Sequence, residues 1–486
     1  MKRLLLNIFV IGLVLSQSNA QPIRLHPDNP HYFQYKGEPK VLVTSAEHYC
    51  AVLNRDFDYK TYLKTLHQDG MNYTRIFTGS YVERPGAFGI ENNTLAPAAG
   101  SFLAPWKRVG ETGLYQGERK FDLSRWNPKY FSRLKKFVKL ARKYDIIVEV
   151  TFFSSIYTAE NWERNPFNPG NNINIKQELD RKRSNTLDNG NLLKYQKMMV
   201  RKIVKELQEF GNVIYEIQNE PWADNPQKAL RILKTMDPSC KNAWFKYADK
   251  ASDASFAWQE QIAATIVETE KDFPGQHLIA QNYTNFKYPL EKVADNISIL
   301  NFHYAWPEVV EMNYAWNRPI SFDESGFDGS SDTTYLRQAW QFMLNGGAVF
   351  NNLDYSFFVE EEDGTGVNNA PGGGSATLRK QLKYLRDFIE SFDFVKMQPD
   401  LDCIYHAPGL EWNGISEKGQ QYALILHGNP IGWIKLNLPR GKYRYEWVSP
   451  FSGEIVKRGE FVVKNSATIK LTLPEFDDMI AVKIVR

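Results

Sequence analysis

The sequence predicts a (β/α)8 TIM barrel followed by a small antiparallel β-sandwich. Three observations carry this: eight short apolar runs alternate with helix-period segments between about residues 40 and 390, long connections follow several of the runs, and beyond about residue 395 the apolar period becomes two. A doubly wound open sheet is the structural alternative, and the count of eight favours the barrel. The length, 486 residues, suits a barrel plus one smaller domain. Hydrophobic residues at 43% and charged residues at 24% exclude disordered, collagen-like and coiled-coil classes.

At the N-terminus Met1-Lys2-Arg3 precedes an apolar run over 4–15 and the small-residue pattern Ser18-Asn19-Ala20, which together predict a secretory signal over 1–20. The run is too short to span a bilayer, and no other segment approaches 18 uninterrupted apolar residues, so the expected product is an exported soluble protein, periplasmic or extracellular. No Cys stands at the cleavage site, which argues against a lipid anchor. Three cysteines, Cys50, Cys240 and Cys403, make no disulfide scaffold; a Cys50 to Cys240 bridge and buried free thiols are the two readings. The formal charge of +3 falls to +1 once Lys2 and Arg3 leave with the signal, which supports neither a nucleic-acid footprint nor a polybasic membrane patch.

The segment 22–38, with Lys36-Gly37-Glu38 as its turn, is expected to be a hairpin leading into the first barrel strand. The eight runs are 40–45, 71–77, 146–153, 212–218, 277–281, 297–302, 319–322 and 348–353. Between them lie helical spacings of three and four, such as Tyr130, Phe131, Leu134, Phe137, Val138 and Ala141, or Leu192, Tyr195, Met199, Ile203 and Leu207. The connections 79–127 and 154–189 exceed ordinary loop lengths and carry many aromatics, among them Tyr81, Phe88 and Tyr157. On a barrel they lie on the C-terminal face, where active sites are built. Further on, Ile434, Leu436 and Leu438, then Tyr443, Tyr445 and Trp447, then Ile469, Leu471 and Leu473 alternate with polar residues, separated by turn signals such as Pro439-Arg440-Gly441. The expected division is therefore signal 1–20, barrel with its hairpin 21–392, and sandwich 393–486.

The sharpest local signal is 212–222, an apolar strand ending in Asn219-Glu220-Pro221, where the Pro stops the strand and the carboxyl faces the barrel mouth. The segment 318–327 repeats the arrangement three strands later with Asp323-Glu324. Two carboxyls converging across a barrel mouth are what retaining glycoside hydrolysis requires: one acid protonates the leaving oxygen, and one carboxylate about 5 to 5.5 Å away attacks the anomeric carbon.

With 297–306, these spans resemble the fourth, sixth and seventh strands of clan A glycoside hydrolases, the (β/α)8-barrel group that includes cellulase-like and β-galactosidase-like families. The resemblance implies that Glu220 is the acid/base, that Glu324 is the nucleophile and that Asn219 binds the 2-hydroxyl of the reacting sugar. Asn301-Phe302-His303-Tyr304-Ala305-Trp306 is similar to the strand-six pattern whose Tyr bonds the nucleophile, which implies that role for Tyr304 and places Trp306 among the supporting residues. Asn72-Tyr73-Thr74-Arg75 resembles the strand-two stretch whose Arg keeps the nucleophile ionised, so Arg75 is expected to do so. The chain departs from cellulase-like members at strand three, 148–153, which lacks their His, and at strand eight, 352–357, which lacks their Trp. The stretch 447–453 is similar to a hairpin in accessory sandwiches of such enzymes, which implies a supporting domain.

Other candidates fill in the site. Glu47 and His48 end the first strand and either line the pocket or anchor loops; His303 is expected at the substrate. Glu149 and Glu216 fall inside strands and are expected in buried polar networks, while Asp323 would point away from Glu324 in a regular strand. The eight His form no His-x-His on strand one and no His-x-x-x-His helix pair, so neither metal nor cofactor is expected. The expected function is an exported retaining glycosidase acting on a β-linked glycan, without nucleic-acid or membrane partners. A catalytically silent carbohydrate-binding protein on the same barrel is the alternative, and such a relative would normally have lost one of the two Glu.

Overall fold

The computed structural model describes residues 21–232, 243–464 and 468–486. The expected signal segment and Cys240 lie outside the described residues, and Cys50 and Cys403 are buried free thiols. Among the described residues no helix is long and apolar enough to cross a membrane.

Eight parallel strands form the barrel: β1 (Leu42–Ala46), β2 (Tyr73–Phe77), β3 (Ile147–Ser154), β4 (Val213–Asn219), β5 (Leu278–Asn285), β6 (Ile299–His303), β7 (Ile320–Ser325) and β8 (Val349–Leu353). Every residue in them is buried, because helices cover the outer face and side chains fill the interior. Ladders run continuously from β2 through β3, β4, β5, β6, β7 and β8 to β1. The remaining seam, between β1 and β2, is bridged by a side chain: Asn72 Oδ1 accepts from Val43 N at 2.9 Å and its Nδ2 donates to Val41 O at 2.8 Å. One amide thus replaces two rungs of a ladder and satisfies backbone groups that burial would otherwise orphan.

The helices sit where the spacing places them. In Pro128–Lys143 the Asn127 side chain caps the first turn by accepting from Lys129 N, Pro128 occupies a position needing no donor, and Tyr130, Leu134, Phe137, Val138 and Ala141 bury one face. Burying a side chain such as Phe137 contributes about 1.5–3 kcal/mol. Between β5 and β6 the chain crosses without a helix over 286–298.

The N-terminal hairpin pairs Phe33–Tyr35 with Glu38–Lys40 through Lys36-Gly37, both left-handed at φ 54° and 88°, as a two-residue primed turn demands, and Arg24–Leu25 adds a third strand. Two further hairpins have no counterpart in the sequence expectation. Trp106–Thr112 pairs with Arg119–Trp126 inside the connection after β2, and Pro226–Arg231 pairs with Tyr247–Ala251 after β4, the latter touching β5 at Lys250 and Thr284.

The C-terminal region is two antiparallel sheets. One is ordered Gln398–Pro399, Leu410–Glu417, Gln421–Gly428, Met479–Val485, Gly441–Val448, Ile455–Val463, and the other is Ile404–His406, Trp433–Leu436, Ile469–Thr472. Ile434, Leu436, Tyr443, Trp447 and Leu471 point between the sheets, as the period of two requires. On the other face of the larger sheet, Ile415, Ala423, Ile425, Val448, Met479 and Ala481 join the barrel's own core. Asn413 Nδ2 donates to Asn345 Oδ1 at 3.2 Å and Lys483 Nζ to Ser391 O at 2.9 Å across the same junction, where Arg337 also pairs with Asp478.

Candidate active site

Glu220 is the first residue beyond β4 and has left-handed backbone, φ 45°, which turns its carboxyl into the barrel mouth. Oε2 accepts from Tyr157 Oη at 2.8 Å, and Oε1 lies 3.0 Å from His303 Nδ1. Its backbone is tied down as well, since the amide donates to Asn282 Oδ1 at 3.2 Å and the carbonyl accepts from Ser155 Oγ at 2.6 Å. Left-handed backbone at a residue with a Cβ costs of order 1–3 kcal/mol and persists where surrounding contacts enforce it. Tyr49 and Tyr304, just past β1 and β6, share it at φ 62° and 50°.

Glu324, within β7, takes Tyr304 Oη on Oε1 and Tyr49 Oη on Oε2, each at 2.8 Å, and Arg75 Nη1 stands 3.3 Å from Oε2. His303 Nδ1 is 3.4 Å from Glu324 Oε1, so this imidazole faces both carboxyls. Burial alone would raise the Glu324 pKa, but the charge and hydrogen bond of His303, the Arg75 guanidinium and the Tyr304 hydroxyl outweigh it and hold the carboxyl well below the ordinary carboxylate range. Burial would likewise lower His303, yet Glu324 and Asp323 hold it well above the usual histidine value. Burial and then the nearby carboxylates keep the Tyr49, Tyr157 and Tyr304 phenols protonated, as donors.

Beneath this pair lies a closed polar layer. Arg75 is fully buried; its Nε donates to Glu216 Oε2 at 2.9 Å, its Nη2 to Asn219 Oδ1 at 2.8 Å, and Asp323 Oδ2 is 3.5 Å from Nε. Its guanidinium packs 4.6 Å from the Tyr49 ring centroid. Asn301 Nδ2 reaches Glu149, Asp323 and Glu216 at 2.9, 3.0 and 3.2 Å. Burial, then Glu216 and Asp323, push Glu149 up to about 8.

Above the pair opens a cavity of about 370 Å³, with Glu220, Glu324 and Asn219 in its wall beside His48, Tyr49 and Glu83. The ring of Phe88, from the connection after β2, crosses toward Tyr157 at 5.1 Å and Phe327 at 6.3 Å. Asn219, 4% exposed, donates to Tyr157 Oη at 2.8 Å.

The structure brings Glu220, Glu324, Asn219, Arg75, His303 and Tyr304 together, keeps His48 in the same cavity wall, and sets Glu47 and Trp306 apart. His303 is fully buried and touches the carboxyls from below, so the expected substrate contact gives way to a positioning one. Glu47 is buried and its carboxylate accepts from the Cys50 and Ala51 amides, both at 2.9 Å, which makes it a loop anchor. His48 does line the cavity, whereas Trp306 lies under Lys287, 4.4 Å from its ring centroid, and is not among the cavity-lining residues. Asp323 departs from the alternation expected of it. Pairing with neighbouring strands is irregular between Phe322 and Ser325, and Asp323 and Glu324 both turn toward Arg75. Glu149 and Glu216 do sit in the buried layer. Sequence reasoning missed Tyr49, whose left-handed backbone leaves no periodic trace, and Glu83, which depends on the course of a long loop, and it placed Tyr157 on the active-site face without its bond to Glu220.

Glu220, His303 and Glu324 each offer one possible ligand atom within 4.8 Å of the others, and Glu216, His303 and Asp323 do the same. Both sets share His303, and Arg75 already supplies positive charge to Glu216 and Glu324.

No family profile matches the chain, and no curated protein matches it in sequence. Its fold is similar to that of a Bacteroides vulgatus protein provisionally assigned to the glycoside hydrolases, at TM-score 0.67 and 14% identity over 96% of this chain and 83% of that one. It is also similar to a family 5 glycoside hydrolase from Bacteroides vulgatus, at TM-score 0.62 and 13% identity over 96% and 94%. At such identities the likeness shows the fold, a (β/α)8 barrel with an appended sandwich, in agreement with the sequence expectation.

Proposed function

We propose that the chain is an exported retaining glycosidase that hydrolyses a β-linked poly- or oligosaccharide by double displacement. The observation that carries this reading is that one oxygen each of Glu220 and Glu324 and Nδ1 or Nε2 of His303 lie within 4.8 Å of one another at the floor of a cavity. Carboxyls whose oxygens come within 4.8 Å of each other suit a direct attack by one of them, whereas the carboxyls of an inverting pair stand about 6.5–9.5 Å apart to admit a water.

Glu324, kept ionised by its neighbours, attacks the anomeric carbon while Glu220 gives its proton to the departing oxygen. A glycosyl-enzyme ester on Glu324 results. Glu220, now a carboxylate, takes a proton from water, which displaces Glu324 and restores the β configuration. Tyr157 and Asn219 orient Glu220, and Tyr49, Tyr304 and Arg75 orient Glu324, so neither carboxyl must reorganise as charge moves. A silent carbohydrate-binding barrel would have no need for two carboxyls so held.

Product stereochemistry tests this. NMR of the first-formed product, taken before mutarotation, is expected to show the β anomer; initial release of the α anomer from a β-linked substrate would overturn the paired roles.

A further inference from the structure

We propose that Glu83 and His48 form a hydroxyl-recognition subsite in the cavity wall, and that the saccharide carries no carboxylate where it meets them. This rests on the glycosidase reading and assigns that site a substrate class.

Glu83 is 3% exposed, lines the cavity and takes no part in the Glu220–Glu324 pair. Its loop is built to hold it. The Glu83 amide donates to Leu95 O at 2.8 Å, Tyr81 Oη donates to Oε1 at 3.2 Å, Asn93 Nδ2 donates to Oε2 at 2.6 Å, and Asn93 Oδ1 in turn accepts from Leu95 N at 2.9 Å. Among the described residues no Lys or Arg pairs with Glu83, and His48, when protonated, favours its ionised form. A buried carboxylate without an ion pair costs stability unless its lone pairs are satisfied, and ligand hydroxyls would satisfy those that Tyr81 and Asn93 leave open. Each oxygen accepts one bond and retains room for another.

His48 is 8% exposed and lines the same cavity, and its Nδ1 has no hydrogen-bond partner among the described residues. Together the two side chains offer acceptors and a ring that donates or accepts, which is what a pair of sugar hydroxyls needs. Burial raises the Glu83 pKa, and His48, Asn93 and Tyr81 pull it back down.

The charge of the cavity sets the substrate class. Glu83, Glu220, Asp249 and Glu324 line it, and among the described residues no Lys or Arg does. A sugar carboxylate would meet like charges in a poorly solvated space. A sugar without a carboxylate meets no such repulsion, and Tyr81, Phe88 and Trp222 offer it apolar faces.

The test takes the full chain with 4-nitrophenyl β-glycosides: glucoside, mannoside, galactoside and xyloside as neutral probes, glucuronide as the anionic one. At least one neutral glycoside is expected to be hydrolysed, with the glucuronide slower by about 100-fold or more. Glu83→Gln and His48→Ala, each checked for an unchanged unfolding midpoint, are expected to lower kcat/KM on the neutral substrate by roughly 10- to 100-fold. The loss should shrink on the deoxy analogue lacking the contacted hydroxyl, which a merely structural role would not produce. Hydrolysis abolished by Glu324→Gln but untouched by both substitutions, or a preference for glucuronide, overturns the subsite and leaves the glycosidase reading standing. If no glycoside is hydrolysed, calorimetry with cellobiose, mannobiose and xylobiose on Glu324→Gln reads the same question: absence of binding, or binding unmoved by Glu83→Gln, overturns the subsite.

Discussion

The hydroxyl of Tyr49 donates to Oε2 of Glu324 at 2.8 Å, on the same oxygen that faces Arg75. This bond stabilises the ionised carboxyl, so its loss raises the pKa of Glu324. Tyr49→Phe is expected to shift the acidic limb of kcat/KM against pH to higher pH and to lower the plateau roughly 10- to 100-fold, the worth of a hydrogen bond to a charged group. An unmoved acidic limb would show that Tyr49 does not bear on the attacking group.

Glu324→Gln keeps shape and removes the attacking anion, so hydrolysis should fall by several orders of magnitude with the fold intact. Glu220→Ala should spare substrates with good leaving groups at the first step and slow the second, where azide, needing no base, should rescue it as a β-glycosyl azide. Equal loss on all leaving groups without azide product would remove Glu220 from the acid/base role.

Replacing Arg75 now carries two consequences. Beyond Glu324 it serves Glu216 and Asp323, all buried, and Arg75→Met leaves these charges uncompensated. A loss of about 3–5 kcal/mol is expected, visible as a lower midpoint in chemical unfolding, alongside an acidic limb moved upward. Arg75→Lys, which keeps a charge but not the planar fork, should lose less stability.

Glu149 makes stability depend on pH. Its folded pKa, raised to about 8 chiefly by burial, exceeds the ordinary glutamate value, so between the two the native state binds more protons than the unfolded state. Stability from this group therefore falls as pH rises from the ordinary glutamate range to about 8. Glu149→Gln imitates the protonated form toward Tyr73 and Asn301, and urea unfolding at pH 5 and pH 8 should show a smaller difference for it than for the unaltered chain.

The barrel was legible because its strands are buried on both faces and stand as apolar runs between amphipathic helices, as 212–218 does before Val213–Asn219. Glu220 and Glu324 were legible because each stands at or near a strand end, where topology aims side chains at the mouth, whereas Arg75 and Tyr304 were legible only through the resemblance of their segments to clan A strands. Tyr49 and Glu83 were not. Tyr49 reaches Glu324 through a left-handed residue just past the strand, and Glu83 is held by contacts with Tyr81, Asn93 and Leu95 along a loop without periodicity. The irregular pairing around Asp323 shows the same limit, since alternation is a rule for regular strands.

The larger C-terminal sheet shares its inner face with the barrel, through Ile415, Ile425 and Met479 among others. Cooperativity therefore does not respect the boundary between the two parts. Heating should melt them in a single calorimetric transition, and a barrel cut off near residue 392 would expose an oily face made for a permanent neighbour and self-associate. A sheet so committed cannot swing on a tether to search for distant polymer; it behaves as a buttress whose removal is paid for in solubility.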